Sequence, residues 1–251
     1  MKNKTNKLHD NCESIVRLPK GGHGVLVGNM ILTAAHCVTF STEGEMVLGD
    51  FFIEEIETHQ GRVKATPLVV EPVRDIAVLG CLDDQVFFDE MEAYQRFCET
   101  TRPMPLAKGL ITPGQPLPVR ILNFDRTWCD GTAGLFDESS PSLWIKSDHE
   151  IKGGASGGPI VNQRGELVGI VSHFTVPNGA QTYGSCPRPL MALPTWICRK
   201  LTQPIPTADE VDRVSTPQCQ PDEALAGHAV LLNTSGKKGS KRAKNVAPTM
   251  D

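Results

Sequence analysis

The sequence of 251 residues has no run of 18 apolar residues, the length that a membrane-spanning helix requires. Its first ten residues carry three lysines and lead into no apolar stretch, so no secretory signal is visible. The chain also lacks a large excess of either charge, because 25 Lys and Arg residues against 29 Asp and Glu residues give a formal net charge of only −4. This balance argues against nucleic acid as the main partner of the whole chain. We expect no association with a membrane.

Cysteine is thinly spread, with eight residues and no pair at C-x-x-C spacing. This pattern argues against a structural zinc site, a thioredoxin-type redox pair and a scaffold built on disulfides. We therefore expect scattered, reduced thiols in a cytoplasmic protein, with neither a metal ion nor a cofactor.

Turn-forming residues are abundant, since 23 glycines and 19 prolines make up about 17% of the chain against a usual ~12%. Apolar runs at 25–27 and 30–32 are separated by Gly28-Asn29, which is a β-hairpin signal. The same arrangement recurs at 159–161 and 167–171. Further short strands are predicted at 47–48, 62–65, 68–70, 76–79, 119–123 and 143–146. Many short strands with turns between them predict a β-sandwich or barrel.

Two segments break the β pattern. Residues 83–101 carry four side chains at helical spacing: Phe87, Met91, Tyr94 and Cys98. They predict an inserted amphipathic helix, which either packs on the β structure or docks a regulatory protein. Residues 190–201 predict a closing helix anchored by Trp196 and Ile197.

These signals divide the chain into three parts. We expect a flexible N-terminal extension at 1–13, a β domain at 14–202 and a flexible tail at 203–251 that is rich in proline and then basic. The basic run of the tail is interpreted as a solvated end. Binding of an acidic partner or nucleic acid, with salt-sensitive affinity, is the alternative.

The most informative segment is GGASGGP, residues 153–159. Consecutive glycines let backbone N–H groups converge, and a serine among them can act as a nucleophile beside an anion-binding pocket. The segment also matches the G-x-S-x-G elbow of α/β-hydrolases, but an elbow leads into a helix, whereas Ser156 leads into a β-hairpin. No aspartate lies between Ser156 and His173, which argues against the hydrolase order of serine, aspartate and then histidine. A glycine-rich turn without a catalytic role remains the alternative.

Two upstream motifs carry the groups that such a serine would need. LTAAHC places His36 just after an apolar strand, and RDIAVL places Asp75 at the start of another. The order along the chain is therefore histidine, aspartate, serine.

Together, LTAAHC, DIAVL and GGASGGP resemble the three signatures of the chymotrypsin-fold (trypsin-like) serine peptidases, which have this order. The stretch 144–171 is most similar to bacterial members, including HtrA relatives, but without a PDZ domain. The resemblance covers about residues 14–200. It implies an all-β fold of two six-stranded antiparallel β-barrels, with a C-terminal helix and an inserted helix. The active site would lie in the cleft between the barrels.

The resemblance also implies a role for each motif residue. His36 would act as general base, Asp75 would hold its other ring nitrogen, and Ser156 would attack a peptide carbonyl to form an acyl-enzyme. The backbone N–H groups of Gly154 and Ser156 would form the oxyanion hole.

The chain departs from the family at two positions. Secreted trypsins have an aspartate just before the nucleophile, which receives the new N-terminal ammonium after zymogen cleavage; here Ala155 stands there. Ile15-Val16 is therefore interpreted as a first strand, and we expect no trypsinogen-type activation. Cys37, which follows the histidine, lacks its family partner, in agreement with a reducing compartment.

Four residues are candidates for the substrate pocket: Glu150, Ser172, His173 and Phe174. Glu150 lies six residues before the nucleophile, where trypsins place the aspartate at the base of the pocket, and would favour Lys or Arg side chains. Phe174 stands where trypsins have a small glycine and would favour small side chains. A rearranged loop that turns Glu150 to water is a further alternative.

We therefore predict a serine endopeptidase that cuts one or a few protein partners in a regulated bacterial pathway. One alternative is a non-catalytic binding module on a protease fold. The other is a protease that stays inactive until a partner binds, with residues 83–101 as the docking element.

Overall fold

The computed structural model describes residues 12–39, 53–82, 86–108, 111–175 and 182–203, which belong to one unit, Met1–Ile205. The strands pair antiparallel in two sheets, and the all-β class is confirmed. The predicted strand at 47–48 and almost all of the predicted extension and tail lie outside the described residues.

The first sheet is a closed barrel with the strand order β1-β2-β3-β6-β5-β4. Its strands are β1 (Ile15–Arg17), β2 (His23–Val27), β3 (Met30–Thr33), β4 (Glu54–Thr58), β5 (Gly61–Glu71) and β6 (Ile76–Gly80). The predicted hairpin at Gly28-Asn29 joins β2 to β3, with Gly28 at φ 61°. The strands predicted at 62–65 and 68–70 are one strand, because a register shift between Pro67 and Val69 interrupts the alternation without ending the pairing.

The second sheet has seven strands in the order β11-β10-β7-β8-β9-β13-β12. They are β7 (Leu117–Leu122), β8 (Trp128–Leu135), β9 (Ser142–Ser147), β10 (Pro159–Asn162), β11 (Leu167–Ile170), β12 (His173–Thr175) and β13 (Thr182–Pro187). This sheet has one strand more than the six predicted, and within the described ranges no pairing closes it into a barrel.

The second sheet nevertheless curls, which brings the end of one edge strand near the start of the other. Its edge strands β11 and β12 are consecutive in the chain, and only two residues separate Ile170 from His173. Three Cα–Cα steps span at most about 11 Å, so the two edges must lie close together. The curl brings the end of β11, which follows the Ser156 segment, next to the rim of the first barrel.

The inserted helix predicted at 83–101 is α1 (Phe88–Thr100). Its buried side chains are Tyr94, Phe97 and Cys98, which close the core of the first barrel. Of the four side chains predicted to form the stripe, Tyr94 and Cys98 are buried, whereas Phe87, just before the helix, and Met91 are half-buried.

The closing helix predicted at 190–201 is two helices, α2 (Pro189–Ala192) and α3 (Thr195–Thr202). Pro194 causes the division, because a residue before proline avoids the helical conformation, and Leu193 is extended at φ −97° and ψ 155°. Of the two predicted anchors, Ile197 is fully buried, whereas Trp196 is half exposed.

A shared apolar cluster joins the two sheets. It contains Val25 and Leu32 from the first barrel, Ile170 from the second sheet and Ile197 from α3. The alternate residues of the same strands, such as Leu26, face the core of the first barrel. Because both faces are buried, β2 and β3 have continuous apolar runs rather than alternation.

Candidate active site

His36 lies in a 3₁₀ turn, Ala35–Cys37, directly after β3. The neighbours Ala35 and Cys37 are buried and anchor the turn, while the His36 side chain is 48% exposed. The turn thus holds the imidazole at the rim of the barrel, where solvent or a substrate can reach one edge of the ring.

Asp75 lies in the turn before β6 at φ 54°, in the left-handed region that few non-glycine residues adopt. Its Oδ1 accepts a hydrogen bond from the His36 backbone N–H at 3.0 Å. The Nδ1 atom of His36 lies 2.9 Å from Oδ1 and 2.8 Å from Oδ2. A carboxylate only accepts hydrogen bonds, so Nδ1 carries the ring proton and Nε2 presents its lone pair. This is the tautomer that a general base requires.

Ser172 completes the surroundings of Asp75. Its hydroxyl donates to Oδ2 of Asp75 at 2.6 Å, which uses the only proton of that hydroxyl. Nδ1 of His173 lies 3.1 Å from the Ser172 oxygen and must therefore be the donor to it. A second imidazole thus stands beside the pair, with the ring centroids of His36 and His173 6.4 Å apart.

Ser156 lies in the glycine-rich turn before β10 and is half-buried. Its carbonyl accepts a hydrogen bond from the N–H of His23 at 2.7 Å. The N–H of Gly157 donates to the Val171 carbonyl, and the Val171 N–H donates back to Gly158, both at 2.8 Å. The turn is therefore fixed to β2 on one side and to the end of β11 on the other.

Gly157 brings this turn against the strand that leads to His36. It has φ 75°, and a Cβ there would lie 1.9 Å from the His23 carbonyl oxygen and 2.4 Å from Oγ1 of Thr33. Thr33 is the last residue of β3, so the Ser156 turn packs against the strand that ends just before the His36 turn. Ser156 itself is not among the residues that line the groove beside His36 and Asp75. Among the described residues, the Ser156 hydroxyl makes no hydrogen bond to the His36 ring. Catalytic hydrogen bonds are often long without substrate and tighten when it binds.

Two backbone N–H groups in the turn are available to an external acceptor. Gly154 has φ 91° and, like Ser156, donates its N–H to no residue in the part of the chain that the structure describes. The intervening Ala155 N–H, in contrast, donates to the Lys152 carbonyl at 3.2 Å. Two unbonded donors in one turn can stabilise the oxygen of a tetrahedral intermediate when both point at it.

A groove of about 690 Å³ opens beside His36 and Asp75. Three of the four predicted pocket residues line it: Ser172, His173 and Phe174. The ring of Phe174 packs over Gly184 of β13, where a Cβ would lie 3.0 Å from the ring. The fourth residue, Glu150, has an exposed side chain and does not line this groove.

The sequence did not single out His23, which lies directly beneath the Ser156 turn. Its side chain is 1% exposed, and neither ring nitrogen has a hydrogen-bond partner. Burial lowers the pKa of His23 to about 4, and the charges of Arg17 and Arg126 add to the shift. The nearby Gly154 backbone opposes the shift in part, although it lies outside hydrogen-bond geometry. The ring is therefore neutral near pH 7 and is shielded from solvent. A histidine within the glycine cluster GGHG was its only sequence signal.

Two buried thiols near the site have raised pKa values. Burial is the main cause that raises the pKa of Cys37, and that of Cys186, to about 12, and Asp75 adds to the shift in both cases. A thiol needs its thiolate form to react as a nucleophile or to bind a metal. Cys37, which lacks the family partner, is a free thiol in the structure.

Within the described ranges, no group of three or more His, Cys, Asp or Glu side chains is arranged to hold a metal ion. The longest helix there has 13 residues, and none combines the length and apolarity needed to cross a bilayer.

Comparison with known protein families matches the Trypsin-like peptidase domain to residues 22–170, more than half of the chain. The matched region contains His36, Asp75 and Ser156. No curated protein matches the sequence at a significant level.

Solved structures with similar folds include several proteases. Kallikrein-related peptidase 10 is 20% identical over 76% of this chain and 95% of its own, with a TM-score of 0.51. A serine endoprotease from Yersinia pestis is 20% identical over 76% of this chain and 63% of its own, with a TM-score of 0.48. A protease from M. tuberculosis in its active form is 15% identical over 78% of this chain and 84% of its own, with a TM-score of 0.49.

Proposed function

The chain belongs to the family of trypsin-like peptidase domains, and on this premise we propose that His36, Asp75 and Ser156 form the catalytic triad of a serine endopeptidase. The observation that carries the proposal is the Asp75 carboxylate, which lies 2.8 Å from Nδ1 of His36. This contact leaves Nε2 as the basic atom, and the Ser156 turn packs against β3, the strand that leads to His36.

In the proposed reaction, Nε2 of His36 takes the hydroxyl proton as Oγ of Ser156 attacks the peptide carbonyl carbon. Asp75 stabilises the imidazolium that forms, and His36 then gives the proton to the leaving amine. Water attacks the remaining acyl-enzyme with His36 again as base, which releases the new carboxyl end and restores Ser156.

The N–H groups of Gly154 and Ser156 would bind the oxyanion in both steps. A single donor of this kind typically contributes about 10²–10³ in rate. Each step changes the charge on the substrate oxygen, so these donors act mainly in the transition state rather than in substrate binding.

Proteins or peptides are the substrate class that the fold implies. We propose a preference for small side chains at the cleavage position, because the Phe174 ring fills the space over Gly184. Glu150 supports the alternative preference for Lys or Arg less well, since its side chain is exposed. Replacing Phe174 with glycine should admit larger side chains, which cleavage of a peptide library would measure.

The biological setting stays a prediction: a cytoplasmic, bacterial enzyme that cuts one or a few partners in a regulated pathway. Helix α1 is the proposed docking element for a regulator. Two apolar side chains at its start support this role, because Val86 is 72% exposed and Phe88 is 61% exposed.

A fluorophosphonate probe tests the triad, because it phosphonylates only an activated serine. We expect the wild-type protein to be labelled, and the Ser156→Ala and His36→Ala variants to remain unlabelled. A wild-type protein that is folded but unlabelled would refute the proposal and support the binding module. Labelling that required an added partner protein would support the partner-activated alternative.

A further inference from the structure

The turn that carries the two free N–H groups lacks the ionic support found in secreted trypsins. Ala155, which stands where they have an aspartate, is 1% exposed and carries no charge. Ile15, the residue of the Ile15-Val16 pair that would provide an ammonium, is buried within β1. The backbone hydrogen bonds described above hold Ser156, Gly157 and Gly158, so the question is what positions the preceding residues Gly153 and Gly154, whose glycine backbone is conformationally free.

Asn123, at the end of β7, contacts the segment that leads into this turn. Asn123 lies in the loop after β7 and not in the turn itself. Its side chain is only 5% exposed, and both its amide nitrogen and its amide oxygen make hydrogen bonds. The Nδ2 group donates to the Glu150 carbonyl at 3.0 Å, and Oδ1 accepts the Lys152 N–H at 3.0 Å. Oδ1 also accepts the N–H of Phe124 at 2.8 Å, which fixes the amide in its own loop.

Both the backbone N–H and the backbone carbonyl of Lys152 therefore make hydrogen bonds. Its N–H donates to Asn123, and its carbonyl accepts the Ala155 N–H at 3.2 Å. Between these two bonds lie only Gly153 and Gly154, so the direction of the Gly154 N–H depends on where Lys152 is held.

Phe124, the residue after Asn123, packs against the same turn. A Cβ on Gly154 would lie 2.5 Å from the Phe124 ring, so ring and backbone are in direct contact. The guanidinium of Arg17 lies 5.7 Å from the centre of the same ring and covers it from the first barrel. The loop at Asn123 and Phe124 therefore supports the turn along its outer side.

We infer that Asn123 is a positioning residue that holds the oxyanion turn in its binding conformation, in place of the ion pair of secreted trypsins. The inference rests on the proposed function, because it concerns the donors of that site. Asn123 touches no reacting atom, and it acts through Lys152 and Gly154.

The test compares two buried asparagines. Asn162 is 7% exposed and also makes several hydrogen bonds: its Oδ1 accepts from Arg164 N–H at 2.9 Å and Glu166 N–H at 3.0 Å, and its Nδ2 donates to Glu166. These bonds lie in the β10–β11 hairpin rather than at the oxyanion turn. Asn162→Ala is therefore the matched control for the structural cost of removing a buried amide.

The measurement is the second-order rate of fluorophosphonate labelling, corrected for the folded fraction from a thermal unfolding curve. We expect Asn123→Ala to be labelled at least about 10-fold more slowly than wild type, because misdirecting one oxyanion donor loses part of its 10²–10³ contribution. Asn162→Ala should lose stability to a similar degree and label within about threefold of wild type.

Equal labelling of Asn123→Ala and wild type, or an equal slowing in both alanine variants, would overturn the inference and leave the triad proposal standing. Absence of labelling in the wild-type protein would overturn both. Should Asn123→Ala not fold, Asn123→Leu is measured in the same way. It fills a similar volume but removes both the acceptor for Lys152 and the donor to Glu150, so a rate equal to wild type in the folded variant would also refute the inference.

Discussion

The neutral histidine beneath the Ser156 turn makes the stability of this protein depend on pH. Burial lowers the pKa of His23 to about 4 in the folded state, whereas the unfolded chain has the ordinary value of 6.5. The unfolded state therefore binds the proton more readily, so His23 destabilises the fold as the pH drops below 6.5. The contribution of the neutral His23 ring to the free energy of unfolding is fully present above pH 6.5 and is lost progressively as the pH falls towards 4.

The size of the effect follows from the two pKa values. The linkage relation gives a loss of about 2 kcal/mol in the free energy of unfolding between pH 7.5 and pH 5. The full difference, reached below pH 4, is about 3 kcal/mol. This is a large fraction of the stability of a typical domain.

Replacing the ring removes the titrating group. In His23→Leu, the free energy of unfolding from urea titrations should change about 2 kcal/mol less between pH 7.5 and pH 5 than in wild type. Both proteins carry Ser156→Ala to prevent self-digestion. The contributions of all other titrating groups to the pH dependence are the same in both proteins and cancel in the difference. The control is His59→Leu, since the His59 side chain is exposed. The same pH dependence in wild type and His23→Leu would refute the reasoning.

Three further substitutions and one control have defined outcomes. Asp75→Asn keeps the left-handed backbone but offers an amide to the ring, so kcat for peptide cleavage should fall about 10⁴-fold with little change in stability. Ser172→Ala removes the 2.6 Å hydrogen bond to that carboxylate and should lower kcat about 10-fold; an unchanged kcat would contradict the role assigned to the hydroxyl. Gly157→Ala places a Cβ 1.9 Å from the His23 carbonyl and should abolish folding or lower the melting temperature by more than about 10 °C. Gly21→Ala has a similar φ of 93° with open space around it, so its melting temperature should fall by only a few degrees; equal losses would refute the steric argument.

The hairpins and the fold class could be predicted because their signals are local. Gly28-Asn29 joins two apolar runs, and the structure turns there. Strand β4 was missed because its sequence, EEIET, has a single apolar residue, while the barrel buries Glu54 at 2% exposure as well as Ile56. In β8, Asp130 and Gly131 interrupt the apolar pattern, and pairing with two neighbouring strands outweighs their low strand propensity.

The motifs identified His36 and Asp75, and the structure brings these two side chains into contact. The supporting residues could not be identified from the sequence. Ser172 was predicted for the substrate pocket, and its hydrogen bond to Asp75 joins residues 97 positions apart. Asn123 and His23 act through contacts across different strands, and no spacing in one sequence reports such contacts. The division of the C-terminal helix, in contrast, was visible in Pro194 and was missed.

The central claim is that His36 and Ser156 act as one catalytic unit. The most direct test compares peptide cleavage by His36→Ala, Ser156→Ala and the double variant. When residues act together, removing the second costs almost nothing further, so the account predicts the same residual kcat in all three proteins. A double variant whose loss equals the product of the two single losses would show that the two side chains act independently, and it would contradict the account.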